Sequence, residues 1–194
     1  MSKSYERIED SIRSFIEAQH VFFVATAPSE AGHVNLSPKG LDSLRVLDDR
    51  RVAYLDFIGS GVETIAHLRD DGRIVLMFCA FEGSPKIVRI HGRGEVVESR
   101  DDGFAELRAR FPDYQPSSVR SVIVVHADRV SDSCGYGVPL YRYEGERSQL
   151  GDWAERKGPE KLEQYQAKYN ATSIDGLAGL RWVGGAAAEK SEPG

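Results

Sequence analysis

Apolar residues along this chain change period several times, and each change marks an element. Ile8, Ile12, Phe15 and Ile16 recur at helical spacing, with Glu6, Glu9, Arg13 and Glu17 on the other faces. That pattern predicts an amphipathic N-terminal helix of about three or four turns. Short runs rich in valine, isoleucine and phenylalanine follow, each bounded by turn residues, as strands are. They predict strands at Val21 to Ala25, His33 to Ser37, Arg51 to Ile58, Arg73 to Phe81, Lys86 to Val97 and Val119 to Val130. Pro38-Lys39-Gly40 is expected to break the second. Gly92 and Gly94 inside the fifth suggest a bend or bulge.

Helical segments punctuate this series. Val62 to Arg69 reads as a short helix, and Ser60 with Glu63 fits a capping box, in which hydroxyl and carboxylate satisfy backbone donors reciprocally. Phe104 to Arg108 predicts a brief helix ending before Pro112. Trp153 to Tyr169 predicts a longer one with mixed charges. Six strands in short succession with helices between them suggest an α+β fold built on a small Greek-key or meander barrel. No repeat or linker divides the chain, so one domain is expected over residues 1–185, with a disordered tail at 186–194.

Composition narrows the function classes. The apolar share (41%) and charged share (28%) are those of a globular domain rather than a disordered chain. A formal net charge of −5 argues against a nucleic-acid partner, while leaving room for a local basic pocket. Cys79 and Cys134 lie far apart and suggest no disulfide framework, as in a reducing compartment. The polar start of the chain and the lack of a long apolar run predict no signal peptide and no membrane association. A cytoplasmic location is the expectation.

Candidate chemistry concentrates at Tyr54 to Thr64, where a strand runs through Gly59-Ser60-Gly61 into a helix. Free backbone N–H groups and the positive end of a helix suit a phosphate, and the Ser60 and Thr64 hydroxyls can add hydrogen bonds. Read alone, Ser60 equally serves to cap its own helix. Lys39 and Arg89 read alone are as readily solvated strand residues. The loop Cys134 to Pro139, with Tyr136, Tyr141, Tyr143 and Trp153, offers rings that stack on a flat ligand, or simply pack a surface loop. The five histidines show no metal-ligand spacing, and no metal is expected.

The order and spacing of three segments resemble the pyridoxamine 5′-phosphate oxidase-like, FMN-binding split-barrel family. They are Val34-Asn35-Leu36-Ser37-Pro38-Lys39-Gly40, the strand, turn and helix from Tyr54 to Leu68, and Ile87-Val88-Arg89-Ile90-His91-Gly92. Together they span about half of the chain. The resemblance implies a split β-barrel that forms a homodimer with FMN in a groove shared by two subunits. It implies that Ser37, Pro38 and Lys39 lie along the flavin or its phosphate. Asp56, Phe57 and Ile58 would present backbone groups to the isoalloxazine edge, Ser60 and Thr64 would bind phosphate, and Arg89 would supply positive charge. True pyridoxamine 5′-phosphate oxidases carry a basic pair after the turn serine, where this chain has Gly61 and Val62. They also carry an arginine and histidine segment near the C-terminus that Gly179 to Gly184 does not match. Vitamin B6 oxidation is therefore not the expected activity.

The implied function is an FMN-dependent oxidoreductase acting on a small molecule, with the cofactor performing the redox step. The alternatives are a flavin-binding carrier, sensor or stress protein without turnover, or a deazaflavin or haem binder on the same fold.

Overall fold

The computed structural model describes residues 2–113 and 118–183. Its centre is one eight-stranded antiparallel sheet, built from β1 (Lys3–Tyr5), β2 (Phe22–Thr26), β3 (Asn35–Lys39), β4 (Leu44–Val46), β5 (Arg51–Phe57), β6 (Arg73–Cys79), β7 (Ile87–Glu98) and β8 (Val119–Ser133). The order across the sheet is β3-β2-β6-β7-β8-β5-β4, with β1 paired to the far end of β8. Helices α1 (Asp10–Glu17), α2 (Glu63–Asp70), α3 (Phe104–Arg108) and α4 (Gln149–Tyr169) lie around it. The sheet curls into a split β-barrel in an α+β setting, the class expected from the sequence.

Alternation explains the inside of the barrel. In β2, β6 and β7 the buried residues Phe22, Val24, Ile74, Leu76, Phe78, Val88 and Ile90 fall at every second position and share the inner face. Ile12 and Ile16 of α1 and Ile65 and Leu68 of α2 join them in the main core. The fully buried run in β5 has a different cause. A second cluster, with Ala53, Leu55, Val122, Val124 and Phe111, covers its other face, and Phe104 and Leu107 of α3 pack against that cluster. A strand covered on both faces loses its alternation.

Several boundaries differ from expectation. α1 is two turns long, because Ile8 lies in the core ahead of the helix, with its N–H bonded to the Asp49 carbonyl. Pro38 does not break β3. It pairs with Phe23 on an edge strand, where a residue without an N–H is tolerated. The polar β1 and the short β4 carry too little apolar pattern to be foreseen. The residue before α2 is Val62, and the helix has no side-chain cap, so the expected Ser60–Glu63 capping box does not form. In α4, Gly158 (φ 70°) and Pro159 kink the chain into two helical pieces. Leu180 and Val183 are core residues, so the chain stays packed well past Gly176. The tail expected at 186–194 lies outside the described residues. No helix among the described residues is long and apolar enough to cross a membrane.

The bend foreseen at Gly92 is present as a register shift between His91 and Gly92, opposite β8. A Cβ at Gly92 would collide with the His126 carbonyl, whereas one at Gly94 would meet the methyls of Leu68 at 2.7 Å, which can rotate aside. Gly92→Ala is therefore expected to cost about 2–3 kcal/mol, more than Gly94→Ala, since strand backbone yields less readily than a side chain. Urea unfolding of both variants checks the ranking, and equal midpoints would contradict it.

Candidate functional site

β3 and β5 approach each other at the split of the barrel, and the contact between them is ionic. Asp56 of β5 has no exposed surface, yet its carboxylate accepts from Arg120 Nε at 2.6 Å and from Lys39 Nζ at 3.2 Å. The Ser121 hydroxyl adds a bond at 3.3 Å. Burial alone would push the Asp56 pKa up, but the Arg120 charge, then that of Lys39, together with their hydrogen bonds, outweighs it and holds the pKa at about 2. The carboxylate is ionised across the physiological range.

Arg120 has a second task. Its Nη1 donates to the Gly61 carbonyl at 2.7 Å and to Asn170 Oδ1 at 3.1 Å, while Asn170 Nδ2 donates to the Gly59 carbonyl at 3.0 Å. The Gly59-Ser60-Gly61 bend is thus fixed through its carbonyls by side chains from β8 and from the end of α4. Ser60 is left exposed at its tip.

The inward positions of β3 continue the polar seam. Asn35 Nδ2 reaches Thr64 Oγ1 at 3.0 Å and Thr26 Oγ1 at 3.2 Å, and Ser37 donates to Asn35 Oδ1 at 3.2 Å. Thr26 in turn meets Nδ1 of the fully buried His67 at 3.0 Å. Beside the seam lies an open groove of about 430 Å³, bounded by His33, Asn35 and Leu36 on one side and Ser60 and Glu63 on the other, with Ile174 at its margin. The Glu63 carboxylate turns back toward Gly61 and accepts from the Ile174 N–H at 3.3 Å. His33 is paired with Asp175 at 2.7 Å.

The predicted residues separate into two groups. Ser37, Lys39, Asp56 and Thr64 converge on the seam, with Ser60 at the groove's rim. Pro38 points to the outer face of the sheet, as does Arg89, which is in register with it through Phe23 and Met77 and bonds Ser133 Oγ at 3.1 Å. Phe57 packs against the α3 side, and Ile58 packs under Ala154 and Leu162 of α4. The Ile58 N–H is committed to the Ser118 carbonyl at 2.9 Å. Asn35, Glu63, Arg120 and Asn170 were not foreseen. Arg120 lies in the buried first half of β8, among Val119, Val122 and Ile123, and a cation placed there signals a buried anion.

The middle of the chain, residues 8–134, matches the model of the pyridoxamine 5′-phosphate oxidase family. The chain belongs to that family. It is also 39% identical over 193 residues to ustO of Aspergillus flavus, a pyridoxamine 5′-phosphate oxidase family protein, covering 91% of this chain and 77% of that one. Two crystal structures share the fold. One is HupZ of Group A Streptococcus, at 22% identity and a TM-score of 0.50, covering 65% of this chain and 99% of that one. The other is a Lactobacillus delbrueckii protein provisionally designated a pyridoxamine 5′-phosphate oxidase, at 20% identity and a TM-score of 0.51, covering 65% and 94%. The family match ends at Cys134, so Asn170 and Ile174, which close over the bend, lie beyond the part this chain shares through that match.

Asp56→Asn would leave Arg120 and Lys39 buried around a neutral amide and is expected to destabilise the fold by about 3 kcal/mol or more. The folded pKa of Asp56 lies below the ordinary value near 4. Its contribution is thus present above about pH 4 and is lost as the pH falls toward about 2. Acid unfolding followed by circular dichroism should show that limb in the parent and a flatter one in Asp56→Asn. Identical curves would sink the assignment.

Proposed function

We propose that this protein binds a flavin mononucleotide along β3 as a homodimer and uses it in an oxidoreduction of a small molecule. The groove beside β3 is the observation that carries this reading. Its size falls within the range of small-molecule sites, and Leu36 and Ile174 give it an apolar wall. β3 is an edge strand, and no second strand pairs with its free edge among the described residues. Its backbone groups can therefore meet the polar rim of a flat ring, as a paired strand's cannot.

The groove suits the ring half of a flavin; among the described residues around it, no uncommitted cation meets the phosphate half in one protomer. Glu63 places a carboxylate at the bend, Lys39 and Arg120 are spent on Asp56, and His33 is spent on Asp175. Arg89 stands on the outer face, three strands from β3, or about 14 Å at the usual strand spacing. It cannot join Ser37 or Lys39 on one ligand within a single subunit.

A second protomer resolves this. The outer face of β3, β2, β6 and β7 carries Leu36, Phe23, Ala25, Val75 and Met77, and no helix packs across it among the described residues. An apolar face of this kind is what two-fold pairing buries, and pairing would bring Arg89 from one copy toward the groove of the other. Bound flavin would supply the redox chemistry. The chain's own residues would bind and orient it, since Asp56, locked between two cations, has no proton to give.

Adding FMN to the purified protein should produce saturable quenching of flavin fluorescence at one flavin per protomer. Arg89→Ala should weaken FMN at least fivefold while leaving riboflavin, which has no phosphate, unchanged. Sedimentation should show a dimer at micromolar concentration. Failure to take up either flavin, or a monomer, would overturn the reading. Reduction of the bound flavin by NADH or NADPH, with turnover, separates the oxidoreductase from a carrier or sensor.

A further inference from the structure

The loop of exposed tyrosines after β8 is more ordered than its lack of regular structure suggests. The Tyr141 N–H donates to the Phe81 carbonyl at 2.9 Å, and the Tyr143 N–H donates to Glu82 Oε1 at 3.0 Å. The Tyr143 hydroxyl donates to Glu146 Oε1 at 3.0 Å, while Glu146 Oε2 accepts from the Leu41 N–H at 3.1 Å. Three of these bonds tie residues 141–146 to the segment after β6 and to the turn after β3, and the fourth braces the strap internally. That turn holds Leu41 (φ 62°) and Asp42 (φ 48°) in the left-handed region, a strain that the surrounding contacts must sustain.

The strap encloses a cleft of about 600 Å³ against the start of β2. Its walls are aromatic. The Tyr143 and His20 rings lie parallel (5°) with centroids 3.6 Å apart, and the Phe81 and Tyr141 rings are 5.5 Å apart. Val21 adds an aliphatic side. Arg142 also lines the cleft and forms no ion pair with any described residue, whereas both Glu146 oxygens and one of Glu82 are already engaged. Tyr141 is 63% exposed, so most of a large ring stands in water beside Phe81.

We propose that this cleft is a second ligand site, one that takes a flat aromatic molecule bearing an anionic substituent. The ring of the ligand stacks against Tyr141 and Phe81 or on the His20–Tyr143 pair, and its anion meets Arg142. Tyr141, Arg142 and Tyr143, which supply the cleft's cation and two of its rings, lie beyond the family match, which ends at Cys134, so the strap is an addition to the part of the barrel covered by that match. It does not depend on flavin binding.

Calorimetric titration of the full chain with naphthoate, naphthamide and cyclohexanecarboxylate tests this. Naphthoate should bind saturably and more tightly than the other two. Arg142→Gln should weaken naphthoate about fivefold and leave naphthamide unchanged. Tyr141→Ala and Tyr143→Ala should weaken both aromatic ligands about tenfold, and Tyr143→Phe, which keeps the ring, should bind near the parent level. Excess FMN should not displace naphthoate. The proposal is overturned if naphthoate fails to bind at millimolar concentration, if the tyrosine-to-alanine variants bind it as the parent does, if cyclohexanecarboxylate binds equally well, or if FMN displaces it.

Discussion

A single carboxylate with no contact to water organises the functional end of this molecule. Asp56 draws Lys39 from β3 and Arg120 from β8 onto β5, so the edge strand β3 meets the paired strands β8 and β5, from which the sheet order separates it, at one point. Such an arrangement is weak as a source of net stability, because taking the charges out of water costs about as much as their attraction returns. Its worth lies in geometry. Apolar residues at these positions would pack in several ways, whereas a buried anion with two cations and a hydroxyl has one satisfied arrangement. Lys39 is thereby fixed at the end of an edge strand that, among the described residues, has one neighbour in the sheet to hold it.

The same guanidinium extends the constraint outward. Because Arg120 also holds the Gly61 carbonyl and Asn170, the bend between β5 and α2 follows from the Asp56 pair rather than from a cap on the helix. The end of α4 is drawn onto the bend by Asn170, and the following segment is secured by Arg69, which bonds both the Gly179 carbonyl and the buried Glu98. Gly179 itself sits so close to the Asn170 carbonyl that a Cβ there would clash. The segment that closes the groove is consequently built into the fold: Leu180 and Val183 enter the same core as Ile65 and Leu68 of α2.

The sheet was legible because β2, β6, β7 and β8 are runs rich in valine, isoleucine and phenylalanine bounded by turn residues. β5 was also legible, as a short apolar run, although alternation says nothing about which faces of such a run are covered. What escaped were elements specified by partners distant in sequence. β1 is polar throughout and exists because Lys3 to Tyr5 pair with Val130 to Asp132. The cap at Ser60 was read from local spacing, but Glu63 instead serves the Ile174 N–H, more than a hundred residues away. Ser37, Lys39, Asp56 and Thr64 could be grouped from order and spacing. Their partners Asn35, Arg120 and Asn170 could not, because no local pattern says which buried charge answers which. Arg89 was identified as a cation, but the face it points to depends on strand register, which one sequence does not display.

β3 also explains why the groove and the tyrosine-lined cleft lie near each other in so small a protein. An edge strand exposes backbone along its length and leaves both ends open, so material from elsewhere in the chain can attach at either end. At its start, His33 and Leu36 face the segment around Ile174 and Asp175; at its finish, Leu41 is tied to Glu146 of the tyrosine strap. Both attachments come from beyond Cys134, where the family match stops. The shared barrel supplies a rigid strand held by the Asp56 cluster, and the remainder of the chain has been fitted to its two ends. The buried charges that position β3 can stay as they are, which accords with a fold that serves unrelated functions through its loops.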